Sequence, residues 1–313
     1  MSSSVALPGS SLKRWLTAMR LPFTTVALAP FGVGVYLAHA HGTLLSSTAS
    51  AAGFLAVLLI CVGCYFTGEI SDQREDLLTL QYGRSRFAGG TLLVAQGELA
   101  SRTVARVAAI CFLGALALGL VVATVHRAPW LFALGLFGAA SAILYSLPPV
   151  RLVSRGLGEL LIAVCYGWLT LVTGYASAAG ALPPHNLLLA LPMALTIFNV
   201  ILINEFPDYE ADAGAGKRNL LQRVGKPAGV WMYALSNLAT AGAIVALWLA
   251  FRPGRFDLLF AVVPAALLAL GLAVSVALLG LWRVPAALEK VCGLSIVLNL
   301  LASIEVGVLA QWS

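Results

Sequence analysis

Charge is what this chain has least of. Only 10% of its 313 residues are Asp, Glu, Lys or Arg, against about a quarter in a soluble domain. So low a charge excludes an ordinary solvated surface. Histidine is scarce as well. The four present, His39, His41, His126 and His185, fall at the opposite ends of the apolar segments from the acidic clusters, which argues against a histidine-based metal site. The five cysteines are an odd number and lie inside apolar runs, so they make no disulfide framework. Cys61 and Cys64 have C-x-x-C spacing, but no second ligand pair follows, and they read as small buried hydrophobes.

What remains is apolar. Hydrophobic residues make up 60% of the chain and come in long runs, and a membrane span needs about 20 of them. The runs predict nine helices, at 22–40, 50–68, 104–125, 129–147, 157–179, 187–206, 229–251, 257–280 and 286–310. The fold class expected is therefore all-α, a polytopic membrane bundle. Sixteen of the 19 Lys and Arg gather on one side of it, leaving Arg127, Arg252 and Arg255 on the other. That asymmetry puts the N-terminus in the cytoplasm and, with nine spans, the C-terminus outside. It also accounts for the net charge of +6 without a nucleic-acid partner. Residues 1–21 read as a basic, amphipathic interfacial lead-in rather than a cleavable signal. Residues 22–313 read as one transmembrane domain. No protein partner is indicated.

The few acids are concentrated. "GEISDQRED" (68–76) and "NEFPDYEAD" (204–212) share the skeleton E-x-x-D-x-x-x-D, as Glu69, Asp72, Asp76 and as Glu205, Asp208, Asp212. With Glu75 and Glu210 these windows hold eight of the 13 acidic residues, and Arg74 is the one base within them. On a helix the three positions share a face. Carboxylates this dense repel, and near a bilayer they are costly. Oxygen ligands without His or Cys suit Mg²⁺, which takes one or two carboxylates, waters and substrate phosphate oxygens. Each row is followed by glycines and bases, "YGRSRFAGG" (82–90) and "AGAGKRNL" (213–220). Acids for metals, then bases and loop amides for phosphate, describe a site for a metal-bound polyphosphate. Solvated acidic loops explain one such row as well as a site does, but not two rows with matching spacing. An inexact internal repeat of the transporter kind stays open on spacing alone, although transporter ligands belong near the midplane rather than at span ends.

At these residues the sequence resembles the UbiA superfamily of intramembrane prenyltransferases. The likeness runs through "MRLPF" (19–23), "SRFAGG" (85–90), "YSLPPVRLVSRGLGE" (145–159) and "NEFPDYEADAGAGKRNLLQRVG" (204–225). The last two are most like the branch that prenylates 1,4-dihydroxy-2-naphthoate in menaquinone synthesis. The chain departs from the family pattern at Gly68, where the family has Asn, and at Glu69, where it has Asp.

The resemblance implies a nine-helix bundle with a cytoplasmic mouth, in a prokaryotic cytoplasmic membrane. It implies an isoprenyl diphosphate donor, an aromatic acceptor and two Mg²⁺ ions. Asp72, Asp76, Asp208 and Asp212 would carry the catalysis through the metals, with Glu69 and Glu205 as further metal partners. Arg84, Lys217, Arg218 and Arg20 would contact phosphate. Asn204 and Tyr145 would orient diphosphate or acceptor, Tyr145 reading equally as an interfacial anchor. Glu159 reads as an acceptor contact or as a cap near a helix start. Asn199 and Glu305 are intramembrane polar residues without an assigned role. The alternative within the family is a terpene cyclase, which ionises the same diphosphate and needs no aromatic acceptor.

Overall fold

The computed structural model describes residues 11–87, 89–251 and 258–311, and among them every regular element is helical. A short interfacial helix, α1 (Ser11–Ala18), turns at Arg20 into α2 (Leu21–Ala40). There follow α3 (Ser47–Ser71), α4 (Gln73–Tyr82), α5 (Ser101–Val125) and α6 (Pro129–Ser146). The remaining helices are α7 (Gly158–Ala179), α8 (Asn186–Ala215), α9 (Leu220–Phe251), α10 (Val263–Ala277) and α11 (Pro285–Ala310). Eight of these are long and apolar enough to cross a membrane. In place of the expected span at 257–280 stands the shorter α10, preceded by a π-helical stretch, Leu258–Val262. Among the described residues, then, eight helices are long enough to span and a ninth apolar helix is shorter, where hydropathy predicts nine spans. Arg252, Arg255, Ala88 and the first ten residues, all used in the sequence reading, lie outside the described residues.

The outward surface is apolar. Ile110, Leu113, Leu187 and Ile304 are each more than 60% exposed, a liability in water and the expected face toward lipid. With lipid outside, helices gain little from burying Leu against Leu, and small residues that allow close approach take over. The crossing of α2 and α7 shows this. A Cβ on Gly34 would lie 2.2 Å from the Leu171 carbonyl oxygen, and one on Gly174 would lie 2.1 Å from that of Phe31. Only glycine lets these two backbones touch.

Two packed halves result. One joins α3, α5 and α6 through Val62, Phe66, Val104 and Phe112. The other joins α2, α7, α8, α9, α10 and α11 through Leu171, Met193, Tyr233 and Leu298. The acidic rows meet where α4 leaves the first half and packs against α8 of the second. The first row straddles α3 and α4, and the second lies wholly on α8.

Candidate active site

The first row is not one continuous helical face. Asp72 closes α3 with φ −104° and ψ 19° and opens α4. Its N–H still donates to the Gly68 carbonyl, and its own carbonyl accepts from Asp76 N, both at 2.9 Å. The chain thus bends at Asp72 while these two backbone hydrogen bonds hold on either side of it. The second row keeps the expected face, because α8 runs unbroken to Ala215 with Pro207 inside it.

The bend turns the rows toward each other across a cavity of about 220 Å³. Glu69, Asp72, Glu75 and Asp76 line it from α3 and α4, and Asn204, Glu205, Asp208 and Asp212 from α8. Arg20, Tyr145 and Lys217 line it too. Of the sequence-predicted residues, Arg84, Arg218 and Glu159 are outside that lining. Arg84 is exposed and donates to the Gly90 carbonyl at 2.6 Å. Arg218 is exposed, its carbonyl accepting from Arg223 Nε. Glu159 is buried, and its Oε1 accepts from Leu220 N at 2.9 Å, so it caps the start of α9 rather than of its own helix. Asn199 and Glu305 are buried away from the cavity.

Cations already occupy part of the acidic surface. Lys217 Nζ lies 3.5 Å from Asp72 Oδ2 and 3.5 Å from Asp212 Oδ1. Gly216, at φ 80°, ends α8 and sends Lys217 inward. Burial alone would depress the Lys217 ammonium, but Asp72 and Asp212 outweigh it and hold it well above the ordinary lysine value. Arg151 contributes a guanidinium that sequence reasoning passed over. Its Nη2 donates to Asp72 Oδ1 at 2.7 Å and to Glu75 Oε1 at 2.5 Å. Burial would raise the Asp72 carboxyl, yet Lys217 and Arg151 together bring it below the usual range.

The loop after α4 supplies backbone donors. Gly90 N donates to Asp76 Oδ1 at 2.7 Å, and Thr91 N and Oγ1 donate to the two Glu69 oxygens at 2.6 and 2.7 Å. The Gly89 amide faces Asp208. Burial pushes Asp76 up to about 7; the Gly90 amide works against the rise, while Glu69 and Asp72 add to it.

Two carboxylate oxygens stay unclaimed. Asp76 Oδ2 and Asp208 Oδ1 are buried without a hydrogen-bond partner. The two side chains flank the same glycine, for a Cβ on Gly89 would meet an Oδ1 of each at 3.8 Å. Among the described residues, no group of three or more His, Cys, Asp or Glu stands ready to hold an ion unaided. Mg²⁺ does not ask for one, since one or two carboxylates, water and substrate phosphate complete its shell. The all-oxygen donor set and the orphaned pair fit such an ion.

A narrower apolar cleft of about 70 Å³ adjoins the cavity. Cys64, Tyr145, Ile162 and Tyr166 line both. From there it runs between α3, α6 and α7 past Cys61, Gly138 and Leu169 to Val57, Leu134, Gly135 and Thr173. The π-helical stretch Ala163–Leu169 of α7 carries Cys165 and Tyr166 into it. Such π segments are frequent at functional sites.

The UbiA prenyltransferase family matches residues 27–291. Over 184 residues the chain is 24% identical to the 1,4-dihydroxy-2-naphthoate octaprenyltransferase of Bacillus subtilis, covering 58% of this chain and 58% of that protein. Over 231 residues it is 26% identical to the 2-carboxy-1,4-naphthoquinone phytyltransferase of Synechocystis, covering 72% of this chain and 70% of that protein. A UbiA homologue from Archaeoglobus fulgidus, solved bound to DMAPP and Mg²⁺, superposes with a TM-score of 0.63 at 15% identity, over 93% of this chain and 99% of that one. At that identity the likeness is one of fold.

Proposed function

The chain belongs to the UbiA prenyltransferase family, and from that premise we propose that it transfers an isoprenyl group from a polyprenyl diphosphate to 1,4-dihydroxy-2-naphthoate within the membrane. One observation carries this reading. Asp76 Oδ2 and Asp208 Oδ1, buried and unpartnered, come from different acidic rows and line one cavity beside Lys217 and Arg20. That is a donor set for a metal-bound diphosphate. The acceptor follows the naphthoate-prenylating relatives, and the donor and metal follow the archaeal homologue's bound ligands.

Two Mg²⁺ ions, when bound, would supply charge to stabilise the diphosphate as it leaves. Asp76 and Asp208 would hold them, with Asp72 and Asp212 joining as Lys217 turns from those carboxylates to phosphate oxygens. Arg20, whose guanidinium sits 4.6 Å from the Phe23 ring centroid, lies on the same wall as a second phosphate contact. Glu69 and Glu205 stand behind these ligands. As the allylic C–O bond breaks, its electron pair goes to the diphosphate, where fixed cations stabilise the growing charge. The apolar cleft takes the isoprenoid tail and, with Tyr145 and Tyr166 at its entrance, keeps water from the allylic cation. The acceptor carbon bearing the carboxylate forms the new C–C bond. Loss of CO₂ returns its electron pair to the ring, so no strong base is required. Asn204 orients diphosphate or acceptor at the same mouth. Arg84 and Arg218 guide the anionic donor from outside it, and Glu159 acts from behind, at the start of α9.

The basic asymmetry supports a cytoplasmic mouth with the N-terminus on the same side; the same reading takes the membrane as a prokaryotic cytoplasmic one and residues 22–313 as one domain.

The test is to incubate purified protein with geranylgeranyl diphosphate and Mg²⁺, with and without the naphthoate, reading pyrophosphate and organic products by mass spectrometry. A prenylated naphthoquinol that requires metal and acceptor is expected. Pyrophosphate with a terpene product but no acceptor would instead identify a cyclase.

A further inference from the structure

The surroundings of Glu69 differ from those of the other acids in the two rows. Glu69 is 3% exposed. No Lys or Arg pairs with it among the described residues. Both of its oxygens are taken by one residue, Thr91, whose N–H donates to Oε1 at 2.6 Å and whose hydroxyl donates to Oε2 at 2.7 Å. Two donors at such short range from one residue fix the orientation of the carboxyl group. Asp76 Oδ2 and Asp208 Oδ1, by contrast, are buried without a hydrogen-bond partner.

Thr91 ends a strap across the mouth. Before it, Arg86 N donates to Glu289 Oε1 at 3.1 Å, and the Phe87 ring lies 3.2 Å from the Cβ position of Gly293, so this end is tied to α11. After it, Leu93 and Val94 are buried with α3 and α5. Between these anchors, Gly89, Gly90 and Thr91 present successive amides to Asp208, Asp76 and Glu69. The strap thereby joins both acidic rows and fixes which oxygen of Asp76 stays free. A Cβ on Gly90 would fall 2.1 Å from Asp76 Oδ2, so the backbone rests directly on that carboxylate.

We infer that Glu69 is a positioning residue that latches this strap through Thr91, and that it is not a metal ligand. Glutamate in place of aspartate adds one methylene, about 1.5 Å of reach. An aspartate at 69 would leave both Thr91 contacts beyond hydrogen-bond range. A glutamine would keep them, accepting from Thr91 N through its oxygen and donating to the hydroxyl through its amide.

The inference rests on the proposed transferase reading for its kinetic arm, and a second arm is independent of it. Glu69→Gln, Glu69→Asp, Thr91→Val, Thr91→Ser and the double variant Glu69→Asp/Thr91→Val are compared with wild type. The readouts are donor kcat/KM, half-saturating Mg²⁺ and amide hydrogen exchange of residues 83–92 without donor or metal. Loss of the buried Thr91 contacts predicts a fall in kcat/KM of roughly 10- to 100-fold for Glu69→Asp and Thr91→Val. Exchange should be faster in both, and the double variant should be no worse than the more impaired single. Thr91→Ser should remain near wild type, and Glu69→Gln, which keeps both contacts, should lose less than Glu69→Asp, each with unchanged Mg²⁺ dependence. A wild-type-like Glu69→Asp beside a Glu69→Gln that needs far more Mg²⁺ would make Glu69 a ligand and overturn the inference. If wild type turns over no donor, the transferase reading fails, and exchange alone decides the latch. Faster exchange in Glu69→Asp and Thr91→Val but not in Glu69→Gln supports it; equal exchange in all variants overturns it.

Discussion

Asp72 and Asp212 share one ammonium: Lys217 Nζ stands 3.5 Å from an oxygen of each. The two carboxylates come from different acidic rows, and the lysine between them is 13% exposed at its side chain. A cation therefore bridges the acidic rows at the place where the proposed reaction needs positive charge. Lys217→Met should leave both carboxylates facing each other without it. Turnover should fall by about 10²- to 10³-fold, the usual cost of removing one preorganised electrostatic contact. The melting temperature in detergent should drop as well, because breaking a buried pair leaves uncompensated charge. Unchanged kcat/KM would remove Lys217 from the mechanism.

Arg151 neutralises the other flank of the first row through Asp72 and Glu75. Its side chain is 26% exposed, so Arg151→Gln should cost about 1–3 kcal/mol of stability rather than the full penalty of a buried pair. Arg151→Lys keeps the charge but not the planar fork, and should recover only part of the activity. Full recovery by lysine would show that charge alone matters at this position.

Gly90→Ala tests how closely the strap lies on the site. Its Cβ would enter the Asp76 carboxyl at 2.1 Å, so either the strap or Asp76 must move. Thermal stability should change less than activity, since Gly90 lies between the strap's anchors at Phe87 and Leu93 rather than in either packed half, while activity should fall by about 10²-fold, as for a displaced catalytic group. A stable and fully active Gly90→Ala would mean that the strap's position does not matter.

Gly135 lines the apolar cleft, and a Cβ there meets nothing within 4 Å. Gly135→Leu should therefore fold and fill the far part of the cleft. It should discriminate against long donors, with kcat/KM for farnesyl diphosphate retained and that for geranylgeranyl and longer donors reduced. Competition between donors of different length, read by product mass, measures this. An equal effect at every length would place the tail elsewhere.

Much of the fold was legible because lipid imposes long apolar runs. The runs at 22–40 and 129–147 meet α2 and α6 within one residue at each end. At 257–280 the difference is one of detail, since hydropathy does not show that the run opens with a π turn, Leu258–Val262, before the regular helix Val263–Ala277. At the site, spacing placed all six row carboxylates on one cavity. It could not separate neighbours in a turn: after Gly216 reverses the chain, Lys217 points inward while Arg218 is exposed. Nor could it find Arg151 or Thr91. Their partners are 79 and 22 residues away in the chain, and such a pairing leaves no periodic trace. In hindsight the signals were an arginine in an otherwise short polar connection and a threonine directly after two glycines.

The central claim is that the two acidic rows hold one metal-bound diphosphate between them, and calorimetry with a non-hydrolysable geranylgeranyl thiodiphosphate tests it most directly. Wild type, Asp76→Asn and Asp208→Asn would be titrated with and without Mg²⁺. Binding by wild type that requires Mg²⁺, and is lost in either variant while the melting temperature holds, is the result predicted. Equal binding without metal, or binding unaffected by one of the two substitutions, would contradict it.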